Sequence, residues 1–285
     1  MVTVFERAYG KINLTLDVLG KREDGYHDLK SVMQTVSLCD DVEMDIGTGR
    51  EWEVSCGREG IPNDERNLAW KAAKVFFDAT RLDPDGLTIR ITKRIPSGAG
   101  MGGGSADAAA VLRALNRQYG EPFSLTALAD LGAKVGSDVP FCVLQGTAMA
   151  EGRGEILRSL PEMPGCVLVL CKPDFSVSTP VLFRKLDAVP IGKHPDNDAM
   201  EAALIRSDLT AIAENVYNVF EPVVASDHPE IDHIKSIMDG FGALVSQMTG
   251  SGSVVFAIMP DRHHAEAAAN KLKENCYQVF LAEPV

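Results

Sequence analysis

Twelve residues constrain this chain more than any others: Pro96-Ser97-Gly98-Ala99-Gly100-Met101-Gly102-Gly103-Gly104-Ser105-Ala106-Asp107. Before them, Leu87-Thr88-Ile89-Arg90-Ile91 alternates apolar and polar, the period of a half-buried strand. After them, Ala108 to Asn116 is rich in Ala and Leu at helical spacing. A strand, a glycine loop and a helix in that order build an anion site. Glycines let backbone N–H groups approach a phosphate, and the new helix aims its unpaired N–H groups at it.

The surrounding letters separate the readings of this loop. Gly98-x-Gly100-x-x-Gly103 matches the dinucleotide fingerprint, which also needs an acid closing a second strand about 20 residues on. Here the helix ends near Tyr119-Gly120-Glu121-Pro122, and another helical segment follows. A Walker A loop needs a lysine before its Ser/Thr, and this chain has Gly103-Gly104-Ser105. A flexible turn would also use glycines. A lysine-free phosphate cradle fits the density of glycines at a helix start better.

The 285 residues fit one large domain or two moderate ones, and with 45% hydrophobic residues the chain can bury a core. A formal net charge of −12 argues against nucleic acid or an anionic membrane surface as partner, while leaving small phosphorylated ligands open. The six cysteines, Cys39, Cys56, Cys142, Cys166, Cys171 and Cys276, form no C-x-x-C pair. With no signal peptide at the amino terminus and no bilayer-length apolar run, reduced thiols in a cytoplasmic protein are expected.

Along the chain, Ile12, Leu14, Leu16 and Val18 alternate with polar residues as a strand, with Lys11 at its start and a polar Asp-Gly turn after it. Strands are expected at 29–38, 42–46, 52–56, 147–150 and 167–171. Asn67 and Ser124 are suited to cap helices running to about Phe77 and Lys134, and 135–141 reads as a turn. A composition change near Pro161-Glu162-Met163-Pro164-Gly165 suggests a boundary, giving domains 1–160 and 161–285. The second half carries helices near 198–206, 230–238 and 264–274 and strands near 243–248, 254–258 and 278–282. The pattern is α+β.

Three segments stand out in order: the Lys11 strand, the glycine loop, and Thr249-Gly250-Ser251-Gly252-Ser253. Together they resemble the three motifs of the GHMP kinase superfamily, which phosphorylates small alcohols with ATP. The resemblance spans the whole chain. It sharpens at Lys11-Ile12-Asn13-Leu14 with Arg22-Glu23-Asp24-Gly25-Tyr26-His27, at Gly98 to Ser105, and at Gly136-Ser137-Asp138-Val139-Pro140. These resemble the branch that phosphorylates the tertiary hydroxyl of a CDP-linked branched tetritol in non-mevalonate isoprenoid synthesis. The implied fold is a two-domain GHMP-kinase-like α+β structure with the active site in the cleft between domains. The implied cofactors are ATP and Mg²⁺, and the partner is a small molecule, with a homodimer left open. A sister alcohol kinase of the superfamily, or a non-catalytic nucleotide sensor of the same fold, is the alternative.

The resemblance implies roles residue by residue. Asp138 is the base toward the acceptor hydroxyl, although Ser-Asp before Val-Pro also suits a turn or a cap. Lys11 would bond Asp138 and the acceptor oxygen; a solvated lysine at a strand edge is the simpler alternative. Asn13, two residues on and on the same strand face, would bond the tetritol hydroxyls. Tyr26 would stack on the cytosine, His27 would meet its polar edge, and Phe183 would lie on its other side with Thr179 nearby. Phe183 equally suits the core of a short helix. Pro96 through Ala106 would bind ATP, with Ser105 capping the helix or reaching phosphate or metal. Gly250 and Ser251 would wall the substrate, or else lie in a simple hairpin turn. Asp107 would repel phosphate and so reads as structural. Two departures stand out. Ala106 replaces the second serine of the family loop, leaving only backbone there, and the metal-binding glutamate of the mevalonate-type members has no clear counterpart.

Overall fold

A computed structural model describes residues 1–275 and 277–285, so Cys276 lies outside the described residues. The chain divides into two compact units that interleave in sequence. One comprises Met1–Gly10, Cys39–Ser97 and Gly102–Gln145; the other comprises Lys11–Leu38, Gly98–Met101 and Gly146–Val285. The expected division at 160/161 does not coincide with these units. Two long strands, β1 (Val2–Asn13) and β3 (His27–Ile46), each carry residues of both. The strands expected at 29–38 and 42–46 are thus one. Cys39-Asp40-Asp41 resembles a turn in sequence, but Asp40 is fully buried and paired with a lysine, so the strand continues through it.

In the first unit β5 (Leu87–Thr92) is central. The carboxyl-terminal half of β3 runs antiparallel to it, from Asp41 opposite Thr92 to Ile46 opposite Leu87, and β4 (Glu53–Cys56) runs parallel on its other side. Leu87, Ile89 and Ile91 are buried while Arg90 and Thr92 are exposed, the alternation read from sequence. Four helices belong to this unit: α1 (Leu68–Thr80), α2 (Gly103–Gln118), α3 (Leu125–Ala133) and α4 (Val139–Leu144). Asn67 caps α1 by accepting from the Ala69 N–H at 2.9 Å, and Ser124 caps α3 by accepting from Ala127. Helix α2 is buried almost all round by its alanines, Leu112 and Leu115, which marks it as the centre of the unit. The stretch expected as a turn at 135–141 instead turns into α4, with Pro140 in its first turn.

In the second unit an antiparallel sheet runs in the order β10 (Val245–Met248), β11 (Val255–Met259), β8 (Val167–Lys172), β12 (Gln278–Ala282). Helices α9 (Glu230–Gly240) and α10 (Arg262–Lys273) pack on it through Ile231, Ile234, Ala265, Ala268 and Leu272. The unit also holds β2 (Thr15–Lys21) antiparallel to the start of β3, which in turn pairs with β6 (Thr147–Gly152) and through it with β7 (Ile156–Ser159). The short elements α5 (Thr179–Leu186), α6 (Asn197–Ile205), α7 (Leu209–Asn215), β9 (Tyr217–Asn218) and α8 (Glu221–Asp227) complete it. Among the described residues no helix is long and apolar enough to cross a membrane.

Candidate active site

The second unit brings the three sequence motifs together through their backbones. The Lys11 N–H donates to the Met101 carbonyl at 3.1 Å, joining the first motif to the glycine loop. The Val254 N–H donates to Ala99 at 3.2 Å, and the Asn13 N–H donates to Thr249 Oγ1 at 2.8 Å, so the third motif closes the set. Gly100 and Gly250 cross at a contact only glycine allows. Both have positive φ, and a Cβ on Gly100 would stand 2.2 Å from the Thr249 carbonyl oxygen. The Thr249–Ser253 loop is therefore more than a free hairpin turn. Asn218 holds it from behind, donating to the Met248 and Gly250 carbonyls at 2.8 Å each.

Lys11 is 4% exposed, so it is no solvated edge lysine. Its Nζ donates to Asn13 Oδ1 at 2.6 Å, the i, i+2 pairing expected on one strand face. The Asn13 amide is engaged at both ends: Oδ1 accepts from Lys11, and Nδ2 donates to Ser31 Oγ at 2.8 Å. Ser31 in turn donates to the Thr15 carbonyl. Asn13 is buried, and its amide bonds both Lys11 and Ser31.

Within the loop, the side chains of Pro96, Ala99, Met101 and Ala106 are buried, whereas Ser97, Gly98 and Gly104 are exposed. Helix α2 begins at Gly103, one turn before the Ala/Leu run, with Gly102 as a cap of positive φ and no side-chain cap bond. Ser105 thus lies inside the first turn and is not the cap expected. The Ala106 N–H already donates to the Gly102 carbonyl, so the backbone contact expected at position 106 is spent inside the helix. The N–H groups of Gly103, Gly104 and Ser105 are those a helix start leaves for an anion.

Beneath that first turn lies a buried ionic cluster of the same unit. Lys93 Nζ donates to Asp107 Oδ2 at 2.7 Å and to Asp40 Oδ2, while Asp40 Oδ1 accepts the N–H groups of Arg94 and Ile95. A Cβ on Gly103 would sit 3.3 Å from Lys93 Nζ, which locates the ammonium against the start of α2. Burial pulls the Lys93 ammonium down, but Asp107 and Asp40 outweigh it and leave it above its ordinary value. Asp107 is pushed up to about 7: burial raises it, Lys93 holds it back, and the Asp40 charge raises it further. Its Oδ1 is buried without a partner, consistent with a carboxyl that takes a proton. Asp107 is structural, as expected; Asp40 and Lys93, separated from it by 67 and 14 positions, carried no sequence signal.

Asp138 occupies the cap position of α4 in an αR conformation, and its side chain makes no cap bond. A capping role is therefore not what the structure assigns to it. Ser105 Oγ lies 3.8 Å from where a Cβ on Gly136 would stand, so the Gly136–Asp138 turn adjoins the start of α2. The same unit holds a cavity of about 620 Å³ lined by Trp52, Val54, Asn63, Arg66 and Trp70. Leu68, at the start of α1, packs 3.4 Å from the Cβ position of Gly104.

In the second unit, Tyr26 is 56% exposed, with the Arg153 guanidinium 5.0 Å from its ring centre. His27 is buried and stacks directly on Phe183, centroids 4.5 Å apart at 18°. That face of Phe183 is therefore occupied by the imidazole, and the ring is also edge-on to Phe220. Thr179 Oγ1 donates to Ser251 Oγ at 2.9 Å, so these two expected substrate residues do meet. Among the described residues no group of three His, Cys, Asp or Glu could hold a metal, and the five described cysteines are free.

The GHMP kinases N terminal domain matches residues 67–146 and the GHMP kinases C terminal domain matches residues 200–278. A 4-diphosphocytidyl-2-C-methyl-D-erythritol kinase of Geobacillus sp. (strain WCH70) is 45% identical over 96% of this chain and 94% of its own. One of Exiguobacterium sibiricum is 44% identical over 98% and 97%. A crystal structure of 4-(cytidine 5'-diphospho)-2C-methyl-D-erythritol kinase superposes with a TM-score of 0.84 at 31% identity, covering 99% of both chains. A homoserine kinase from Cytophaga hutchinsonii reaches 0.79 at 17% identity over 99% and 94%, which shows the shared fold. With near-full-length identity of this order, the chain belongs to the 4-diphosphocytidyl-2-C-methyl-D-erythritol kinase family of the GHMP kinases.

Proposed function

We infer that the protein transfers the γ-phosphoryl group of ATP to the 2-hydroxyl of 4-diphosphocytidyl-2-C-methyl-D-erythritol, giving the 2-phosphate and ADP in the methylerythritol phosphate route to isoprenoid precursors. Near-full-length kinship carries this reading, and the geometry of the motifs supports it. The triphosphate is assigned to the N–H groups at the start of α2, where the helix dipole favours negative charge. The adenine is assigned to the cavity walled by Trp52 and Trp70, because stacking on an aromatic wall suits any base.

Phosphoryl transfer is mostly positioning and charge stabilisation. In this reading Asp138 holds the acceptor hydroxyl and takes its proton as the new P–O bond forms. The Lys11 ammonium, fixed by Asn13, stabilises the negative charge developing on the transferred group. Tyr26 stacks on the cytosine, and Thr179 and Ser251 bond the polar part of the acceptor. Ser105 is a single neutral hydroxyl, which fits a Mg²⁺ ion held chiefly by the nucleotide's own phosphates. The ion would neutralise phosphate charge in the transfer.

ADP release coupled to a dye, with Mg·ATP and a panel of acceptors, tests the reading. Turnover is expected with the CDP-linked tetritol and not with free methylerythritol, mevalonate or homoserine. Turnover of another alcohol would keep the phosphate loop and overturn the substrate. ATP binding without turnover of any acceptor would favour a sensor.

A further inference from the structure

His27 opens β3 opposite Lys21, where the β2–β3 hairpin returns. Two neighbours fix its ring. Phe183 of α5 sets its plane by stacking at 4.5 Å, and Asp187, at the carboxyl-terminal cap of α5, sets its rotation. The His27 Nε2 to Asp187 Oδ1 distance is 2.7 Å, and Lys21 Nζ donates to the other carboxylate oxygen, Oδ2, at 2.9 Å. The His27 side chain is only 7% exposed.

This arrangement determines which nitrogen carries the proton. A carboxylate only accepts, so the nitrogen facing it must be the donor. Asp187 remains a carboxylate, because Lys21 and then His27 hold its carboxyl below the usual range. In the neutral imidazole the proton therefore sits on Nε2, and Nδ1 bears the lone pair. Among the described residues no protein group pairs with Nδ1.

An acceptor at Nδ1 discriminates between pyrimidines. Cytosine carries a 4-amino donor on its polar edge, and uracil carries a 4-keto acceptor at the same place. We propose that Asp187 is the specificity-determining positioning residue of the acceptor site: through the His27–Asp187 pair it presents Nδ1 as an acceptor and so selects a 4-aminopyrimidine over a 4-ketopyrimidine. The proposal rests on the reading that sets His27 beside the substrate's base. It explains why a buried histidine is spent on a surface carboxylate: the carboxylate acts on the substrate only through the tautomer.

The test compares kcat/KM for the CDP-linked and UDP-linked tetritols in the full-length protein and in Asp187→Asn. Long-range ¹H–¹⁵N spectra of the histidine rings accompany it. An asparagine amide can donate to Nε2 and release the proton to Nδ1, turning acceptor into donor. The wild type is expected to show an Nε2-protonated ring and to prefer the cytidine compound by roughly 100-fold. In Asp187→Asn that preference should fall at least about 10-fold, with KM for ATP unchanged, because a loss confined to the base is not what general unfolding produces. A wild-type ring protonated at Nδ1, or a preference unaltered by Asp187→Asn, would overturn the proposal. Titration with cytidine diphosphate separates the two layers. His27 signals that do not respond would remove the base from His27 and overturn the underlying reading, whatever the tautomer.

Discussion

Gly100 lies so close to Thr249 that a Cβ on it would stand 2.2 Å from the Thr249 carbonyl oxygen, and a Cβ on Gly250 would stand 2.6 Å from the Gly100 carbonyl oxygen. These two glycines fasten the glycine loop to the third motif. Gly100→Ala adds a methyl where backbone already stands, at a φ of +77 that an alanine rarely adopts. We expect a loss of roughly 3 kcal/mol, read as a lower urea midpoint, and a fall in turnover. Gly98→Ala is the control. Its Cβ would meet only the movable Ser176 hydroxyl at 3.3 Å, so about 1 kcal/mol is expected from its positive φ. Equal losses in the two variants would show that the crossing does not organise the loop.

Asp107 should make stability depend on pH in a definite direction. Its carboxyl is pushed up to about 7 in the folded protein, well above the ordinary carboxylate value of about 3.9 expected once unfolded. Between those values the folded state binds the proton more tightly, so its contribution is fully present below about pH 4 and is lost as pH rises through about 7. Asp107→Asn can keep the Lys93 contact through its carbonyl and cannot ionise. Relative to wild type, the variant should therefore gain stability steadily from pH 4 to about 7 and then level off. Urea midpoints across that range decide it; a difference independent of pH would mean that Asp107 stays ionised throughout.

That cluster also marks where the sequence stops being legible. The strand–glycine loop–helix unit, the caps at Asn67 and Ser124, and the alternation of β5 follow from local pattern, because each is specified by residues a few positions apart. The Asp40–Lys93–Asp107 cluster and the His27–Asp187 pair join residues distant in sequence and have no local pattern. Asp40 even misleads locally, because a buried partner turns an apparent break into the middle of β3. The roles proposed for Lys11 and Asp138 rest on the ordered set of motifs, since a single lysine or aspartate is far more often scaffold. The burial of Lys11 excludes only a solvated edge lysine, and the Asp138 side chain makes no cap bond for α4.

Tyr26→Ala tests the base-stacking assignment apart from folding, because the ring is 56% exposed and its loss leaves the core intact. Stacking on a base is worth about 1–3 kcal/mol, so KM for the CDP-linked acceptor should rise roughly 5- to 150-fold while KM for ATP stays near its starting value. Steady-state kinetics with each substrate varied in turn measures both. Equal increases for the two substrates would contradict the assignment.

Asp138→Asn keeps the shape of the turn at the start of α4 and removes the proton acceptor. Binding of Mg·ATP, followed by calorimetry, should change little, while kcat falls by about 10²–10⁴. The thermal midpoint, measured alongside, separates a loss of turnover from a loss of stability. Near-normal turnover would remove Asp138 from the base role.

Asn13 separates positioning from substrate contact. In the structure its amide accepts from Lys11 and donates to Ser31, and it is 2% exposed. If it orients the ammonium, Asn13→Ala removes that bond from Lys11 and leaves Ser31 short of a donor. The expected result is a kcat lowered by ~10- to 100-fold, with KM for the acceptor within a few-fold of wild type, because only an interaction strengthened in the transition state is lost. If Asn13 held the tetritol hydroxyls in the ground state, KM would rise and kcat would move less. Asn13→Asp sharpens the distinction. A carboxylate still accepts from Lys11 at the 2.6 Å contact, so Lys11 stays in place, but it ceases to donate to Ser31. Partial recovery of kcat in Asn13→Asp over Asn13→Ala would therefore assign the effect to the Lys11 contact, and no recovery would assign it to the Ser31 side.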